Sequence, residues 1–138
     1  MRCLMKLHHI GIVVMDSEEA GKRMNSFIPF NQITKAEHVL SQQATVQLFK
    51  AGDVYLEFVS PDSMDSKIYN YAKKGGGFHH LCFEVDHVEE SFQEMLNKGA
   101  KPIIYPVIGF ENRMTAFVFL PYADLNCNLL ELVEKKNS

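Results

Sequence analysis

The feature that most constrains the fold of this chain is a repeat, because two motifs occur twice and in the same order. Residues 9–14 (HIGIVV) are similar to residues 80–85 (HLCFEV), and residues 55–60 (YLEFVS) are similar to residues 129–134 (LLELVE). The histidine recurs after 80 − 9 = 71 positions and the glutamate after 131 − 57 = 74 positions. Two motifs that recur at nearly one spacing predict a chain built from two copies of one module.

Each copy has the pattern of a strand, a helix and then three strands. An Asp precedes each helix, Asp16 in the first copy and Asp86 in the second, and in both copies an Asp or a Ser can cap the first turn. The predicted strands lie near 7–14, 32–39, 44–50 and 53–60, and near 78–85, 102–107, 114–120 and 127–134. A short helix or turn is predicted at 65–74.

These elements predict an α+β fold of two βαβββ modules. No long linker interrupts the chain, so residues 1–138 are expected to form one domain, with module one at about 1–74 and module two at about 75–138. The two half-sheets are expected to form one curled mixed sheet with the helices on its outside.

Charge and cysteine content narrow the class of protein. A formal net charge of −3 and a pI near 6.0 argue against a nucleic-acid or anionic-membrane partner. Cys3, Cys82 and Cys127 are odd in number and form no CxxC pair, which indicates reduced thiols and a cytoplasmic protein. The N-terminal segment has neither a signal-peptide pattern nor a transmembrane length, so a soluble protein is expected.

Histidines and glutamates occupy unusual positions in the repeated strands. Side chains alternate between the two faces of a strand, so His9 and His80 each lie opposite a fully apolar face that is expected to pack on a helix. Next to these histidines on their own face stand small residues, Gly11 and Cys82. The two repeated glutamates lie in strongly apolar strands, where a carboxylate is costly to bury unless it is paired, protonated or bound to metal.

Two histidines and two glutamates, one pair per module, could surround one divalent ion if the half-sheets curl together. Imidazole and carboxylate ligands suit Zn²⁺, Co²⁺, Ni²⁺, Mn²⁺ or Fe²⁺. Taken one at a time, a strand histidine is more often a hydrogen-bonded core residue, and a strand glutamate usually faces solvent. The coincidence of His9, Glu57, His80 and Glu131 at repeated positions is what favours a metal site.

Four segments of the chain, 8–14, 54–61, 77–86 and 129–134, resemble the vicinal-oxygen-chelate superfamily, and within it methylmalonyl-CoA epimerases and glyoxalase I-like proteins. The resemblance covers nearly the whole chain, and the motifs follow the family order. It implies that His9, Glu57, His80 and Glu131 bind one divalent metal. It also implies an isomerase, epimerase or lyase that acts through a metal-stabilised enolate on a 2-oxo, thioester or carboxylate substrate, with Glu131 as both ligand and base.

The chain departs from the epimerase pattern at one position. Epimerases carry a second acid just before the third strand, where this chain has Ser41 and Gln42. Glu37, His38 or a metal-bound water could substitute, and the sequence does not choose among them. Arg113, before the seventh strand, could clamp a substrate carboxylate or phosphate, or could be an ordinary surface arginine.

Two other functions stay open. A non-catalytic small-molecule binder of the resistance type would lack metal ligands, which the four ligand residues argue against. An extradiol-type Fe²⁺ dioxygenase needs two histidines and one carboxylate, which the additional Glu57 argues against. The resemblance also implies a homodimer, while the metal and the choice between CoA and glutathione recognition stay open.

Overall fold

A computed structural model of the chain describes residues 5–30 and 32–136, so Cys3 lies outside the described residues. Its contacts divide the chain into two compact units, His9–His79 and Met1–His8 with His80–Ser138. The division falls inside the first and sixth strands, and the two units are described in turn. That residues 1–138 form one domain stays a prediction. Among the helices in the described part of the chain, none has the combined length and hydropathy of a membrane span.

The unit His9–His79 contains a mixed sheet with one long helix. Its elements are β1 (Lys6–Val13), α1 (Ser17–Phe27), β2 (Gln32–Ile33), β3 (Glu37–Val39), a 3-10 turn (Leu40–Gln42), β4 (Ala44–Ala51), β5 (Val54–Pro61) and α2 (Tyr69–Lys73). The strand order is β2-β4-β5-β1, and β3 also pairs with β4. β1 runs parallel to β5, whereas β4 is antiparallel to β5, β2 and β3.

The other unit repeats this topology. Its elements are β6 (Gly77–Val85), α3 (Val88–Asn97), β7 (Lys101–Ile108), a 3-10 turn (Phe110–Asn112), β8 (Met114–Phe119) and β9 (Leu129–Glu134). The strand order is β6-β9-β8-β7, with β6 parallel to β9 and the other pairs antiparallel. In both units the first strand therefore lies beside the last, and the predicted α+β class with two βαβββ copies is confirmed.

The predicted strand at 32–39 is in fact two short strands, β2 and β3. Thr34, between them, donates its backbone N–H to the carbonyl oxygen of Leu48 at 2.9 Å. The backbone N–H of Leu48 in turn donates to the Thr34 hydroxyl, Oγ1, at 3.0 Å. Because a side-chain oxygen replaces the backbone carbonyl in this exchange, the regular ladder between the chain and β4 ends at Thr34 and restarts at β3.

The two long helices begin differently. Asp16 caps α1 as predicted, since its carboxylate accepts a hydrogen bond from the Glu19 N–H at 3.1 Å. At α3 the N-cap position is His87, so the predicted cap at Asp86 is wrong. The Val88 N–H instead donates to the carboxylate of Glu134 at 3.1 Å, which brings a negative charge from the end of β9 to the helix N-terminus.

The apolar strand faces pack on the helices, as the face pattern predicts. In the unit with β6–β9, Phe92 of α3 belongs to a buried cluster with Leu130 and Leu132, the neighbours of Glu131 on β9. In the other unit, α1 approaches its sheet through Gly21, and a Cβ added there would overlap the ring of the buried Phe49.

We predict that Gly21→Ala destabilises the protein although alanine is the better helix former. Alanine gains about 1 kcal/mol of helix propensity over glycine, whereas overpacking a tight core costs about 1–3 kcal/mol. Lys22→Ala, at the exposed neighbouring position of α1, is the control and should change the unfolding free energy by less than about 0.5 kcal/mol. Urea denaturation measures both; a Gly21→Ala variant at least as stable as the wild type would refute the close approach.

Candidate metal centre

The first pair of candidate ligands lies on β1 and β5, which are adjacent and parallel. Nε2 of His9 is 3.3 Å from Oε1 of Glu57, and the two side chains are 0% and 3% exposed. The register aligns His9 with Tyr55 and Gly11 with Glu57, so the pair is formed diagonally across the two strands. An imidazole and a carboxylate are thus held together away from solvent on the sheet face that is opposite Phe58.

The second pair lies on β6 and β9 in the same arrangement. Nε2 of His80 is 3.1 Å from Oε1 of Glu131, and both side chains are buried. The ring of Phe117 on β8 packs edge-on against His80, with 5.3 Å between the ring centroids. Cys82 is aligned with Glu131.

The small residues on the histidine faces have the same role in both units. Gly11 is the cross-strand partner of Glu57, and Cys82 is the cross-strand partner of Glu131. A larger side chain at either position would occupy the space beside the glutamate, since paired residues point to the same face. The short residue therefore leaves room for the carboxylate to reach the histidine.

Thr115 on β8 is a site residue that the sequence interpretation missed. Its Oγ1 is 2.6 Å from Oε2 of Glu131 and 2.9 Å from the carbonyl oxygen of Leu132. A hydroxyl has one proton, and the shorter contact to a carboxylate is the stronger hydrogen bond. Glu131 is thus held through both oxygens, by His80 and by Thr115. The sequence does offer a sign of this role, because Thr115 is the one hydroxyl residue in the otherwise apolar strand MTAFVF.

The chemistry of these side chains fits a divalent metal. Each pair offers an imidazole nitrogen and a carboxylate oxygen, and His9, Glu57, His80 and Glu131 can all act as metal ligands. A buried ion pair between such groups contributes little to stability by itself, because the cost of removing both charges from water offsets their attraction. Stability alone therefore gives no reason for the same buried pair to occur in both units, whereas metal binding does.

Arg113 is not an ordinary surface arginine, because it is only 7% exposed. Its Nε donates to the carbonyl oxygen of Glu134 at 2.8 Å, its Nη2 to Glu84 at 2.6 Å and its Nη1 to Glu111 at 3.2 Å. Glu84 lies on the same face of β6 as His80. The guanidinium thus binds two carboxylates of its own unit, and a contact between Arg113 and substrate stays a prediction.

The family comparison matches most of the chain. The model of the glyoxalase/bleomycin resistance protein/dioxygenase superfamily matches residues 8–117, which is 110 of the 138 residues. The matched region includes three of the four candidate ligands, His9, Glu57 and His80. The resemblance inferred from the motifs is confirmed.

Individual relatives cover nearly the whole chain. The uncharacterised protein YqjC of Bacillus subtilis is 30% identical over 95% of this chain and 93% of its own length. The human mitochondrial methylmalonyl-CoA epimerase is 27% identical over 94% of this chain and 73% of its own length. A variant of the Streptomyces coelicolor methylmalonyl-CoA epimerase, solved in complex with 2-nitronate-propionyl-CoA, superposes with a TM-score of 0.83 at 25% identity, covering 96% of both chains. The predicted glyoxalase-like fold is therefore confirmed.

We predict that Thr115→Val destabilises the protein by about 1–3 kcal/mol, because a buried carboxylate loses a hydrogen-bond donor while the side-chain shape is kept. Thr45→Val is the matched control. The Thr45 hydroxyl also donates to a carboxylate, that of Asp62 at 2.6 Å, but the Asp62 side chain is 25% exposed, so water can replace the lost donor. Urea denaturation should give the larger loss for Thr115→Val, and equal losses would contradict the buried bond to Glu131.

Proposed function

The chain belongs to the glyoxalase/bleomycin resistance protein/dioxygenase superfamily, and we propose that it is a divalent-metal-dependent epimerase that moves a proton at the carbon next to a carbonyl group. Two of the relatives, the human and the S. coelicolor proteins, are methylmalonyl-CoA epimerases, which supports an epimerase within the superfamily. The S. coelicolor structure holds a propionyl-CoA derivative, so an acyl-CoA thioester is the substrate class that we propose.

The observation that carries this proposal is the duplicated, buried pair of histidine and glutamate. His9 and Glu57 form one pair at 3.3 Å, and His80 and Glu131 form the other at 3.1 Å. We propose that the two pairs together hold one divalent ion, with one imidazole and one carboxylate from each unit. Two neutral imidazoles and two carboxylates supply a net charge of −2, which matches the ion and removes the cost of burying the carboxylates.

A bound divalent ion would supply Lewis-acid chemistry, by polarising the carbonyl oxygen of the substrate and making the neighbouring C–H more acidic. The protein must then accept that proton and return it. We assign this role to Glu131, because its carboxylate is buried, points to the ligand face and is oriented by the Thr115 hydroxyl. Thr115 acts as a positioning residue, since it fixes one carboxylate oxygen of Glu131.

We predict that the metal-free protein binds one Co²⁺ per chain, which is measured by titration through the visible d–d spectrum. Glu57→Ala should weaken binding at least tenfold and change the spectrum, because one oxygen ligand is lost. His87→Ala removes an exposed histidine at the start of α3 and should leave both unchanged. The metal site would be overturned if the wild-type protein bound no divalent ion. It would also be overturned if Glu57→Ala bound Co²⁺ with the affinity and spectrum of the wild type.

We also predict that the Co²⁺-loaded protein exchanges the α-proton of methylmalonyl-CoA with solvent deuterium. Glu131→Gln should lower the exchange rate at least about 100-fold, because an amide cannot carry the proton. Glu94→Gln, on the exposed side of α3, is the control and should exchange at the wild-type rate.

Two outcomes would change the assignment. Full turnover by Glu131→Gln would exclude Glu131 as the proton carrier. Isomerisation of a glutathione hemithioacetal, without exchange of any acyl-CoA, would assign the protein to the glyoxalase I type of reaction instead.

A further inference from the structure

Interconversion of two epimers places a stereochemical demand on the site. The proton leaves one side of the reacting carbon and a proton arrives on the opposite side, so a single carboxylate fixed on one side cannot perform both steps. Ser41 and Gln42, which stand where epimerases carry the second acid, lie in the 3-10 turn between β3 and β4, and neither has a carboxylate. If the proposed epimerase function is right, another group must supply the second acid.

The sheet register identifies a carboxylate on the correct face. Glu37 on β3 is aligned with Val46 on β4, and Val46 is aligned with Val59 on β5. Val59 lies two residues beyond Glu57 on the same strand, so it shares the face of Glu57. Because directly paired residues point to the same side of a sheet, Glu37 lies on the face that carries the pair of His9 and Glu57.

The spacing between Glu37 and Glu57 is short enough for Glu37 to approach a small substrate bound at the first histidine–glutamate pair. Two strand-to-strand steps of about 4.8 Å and one two-residue step of about 6.7 Å place the Cα atoms of Glu37 and Glu57 about 12 Å apart. Over this distance the Glu37 side chain can extend from its face of the sheet toward a substrate that lies against the pair of His9 and Glu57. Glu37 is also half-buried, between the buried Val39 and Val46 on its face.

The other candidate on this strand, His38, points the wrong way. His38 is aligned with Thr45 on β4, the residue just before Val46. Because consecutive residues of a strand point to opposite faces, His38 lies on the face opposite to that of Glu37. Its side chain is 73% exposed. Its Nδ1 lies 2.9 Å from the Thr45 hydroxyl and 3.3 Å from the carboxylate of Asp62. These contacts keep the ring at the outer surface of its unit.

We propose that Glu37 is the second catalytic acid of this protein, a role that rests on the proposed epimerase function. In one direction the carboxylate of Glu131 takes the α-proton, so the C–H bond breaks and its electron pair stays on the substrate. The carboxylic acid of Glu37 then donates its proton to the opposite side of the same carbon, forming a new C–H bond. In the reverse direction the two residues exchange roles, and the reaction consumes neither an oxidant nor a reductant.

The test is Glu37→Gln in the Co²⁺-loaded protein, with each epimer of methylmalonyl-CoA supplied separately in deuterium oxide. We expect interconversion of the epimers to fall at least about 100-fold. Deuterium wash-in should persist for only one epimer, the one whose proton Glu131 reaches. Metal stoichiometry and the Co²⁺ spectrum should match the wild type, which distinguishes a lost acid from a damaged metal site.

His38→Asn is the matched control, because it changes the adjacent residue on the opposite face and should interconvert the epimers at the wild-type rate. Glu37→Asp keeps a carboxylate on a shorter side chain and should restore part of the interconversion, which keeps the test decisive if Glu37→Gln folds poorly. Wild-type interconversion by Glu37→Gln, or equal losses for Glu37→Gln and His38→Asn, would overturn the role of Glu37. A wild-type protein that exchanges no substrate proton would overturn the epimerase function itself.

Discussion

The structure depends on the cost of burying a carboxylate in an apolar strand. Glu57 and Glu131 lie between large apolar neighbours on strands that face a packed helix on one side, and neither side chain reaches solvent. Each lies beside a histidine on the adjacent parallel strand, and its cross-strand neighbour is a small residue, Gly11 or Cys82. The parallel pairing of the first and last strands in both units brings the histidine motif beside the glutamate motif.

The repeat explains why so much of this arrangement could be predicted from the sequence. A period-two strand pattern assigns His9 and Glu57 to the face away from the helix without any knowledge of the neighbours. The second copy then supplies an internal check, since His80 and Glu131 obey the same rule. The structure shows a histidine–glutamate contact within each unit, and the family match confirms the resemblance on which the ligand assignment depends.

The remaining features depend on contacts between residues that are distant in the chain. At the N-terminus of α3, the Val88 N–H donates to the carboxylate of Glu134, which lies 46 residues further along the chain. Rules for helix capping that use only nearby residues do not include such a partner. Thr115 contacts Glu131 only because β8 pairs with β9. The face of Glu37 follows from its pairing with Val46, and the break at Thr34 that shortens β3 is itself a tertiary effect. A strand pattern that runs through 32–39 without a break would mislead about which residues of β3 pair with β4.

X-ray absorption spectroscopy of the zinc-loaded protein tests most directly whether the two repeated pairs bind one ion together. The predicted first shell contains two imidazole nitrogens and carboxylate oxygens at about 2.0–2.2 Å. Outer-shell scattering from two imidazole rings is the expected result if each unit supplies one histidine. A shell with sulfur at about 2.3 Å, or with a single imidazole, would contradict the account, because it would mean that the ion is held by other residues or by one pair alone.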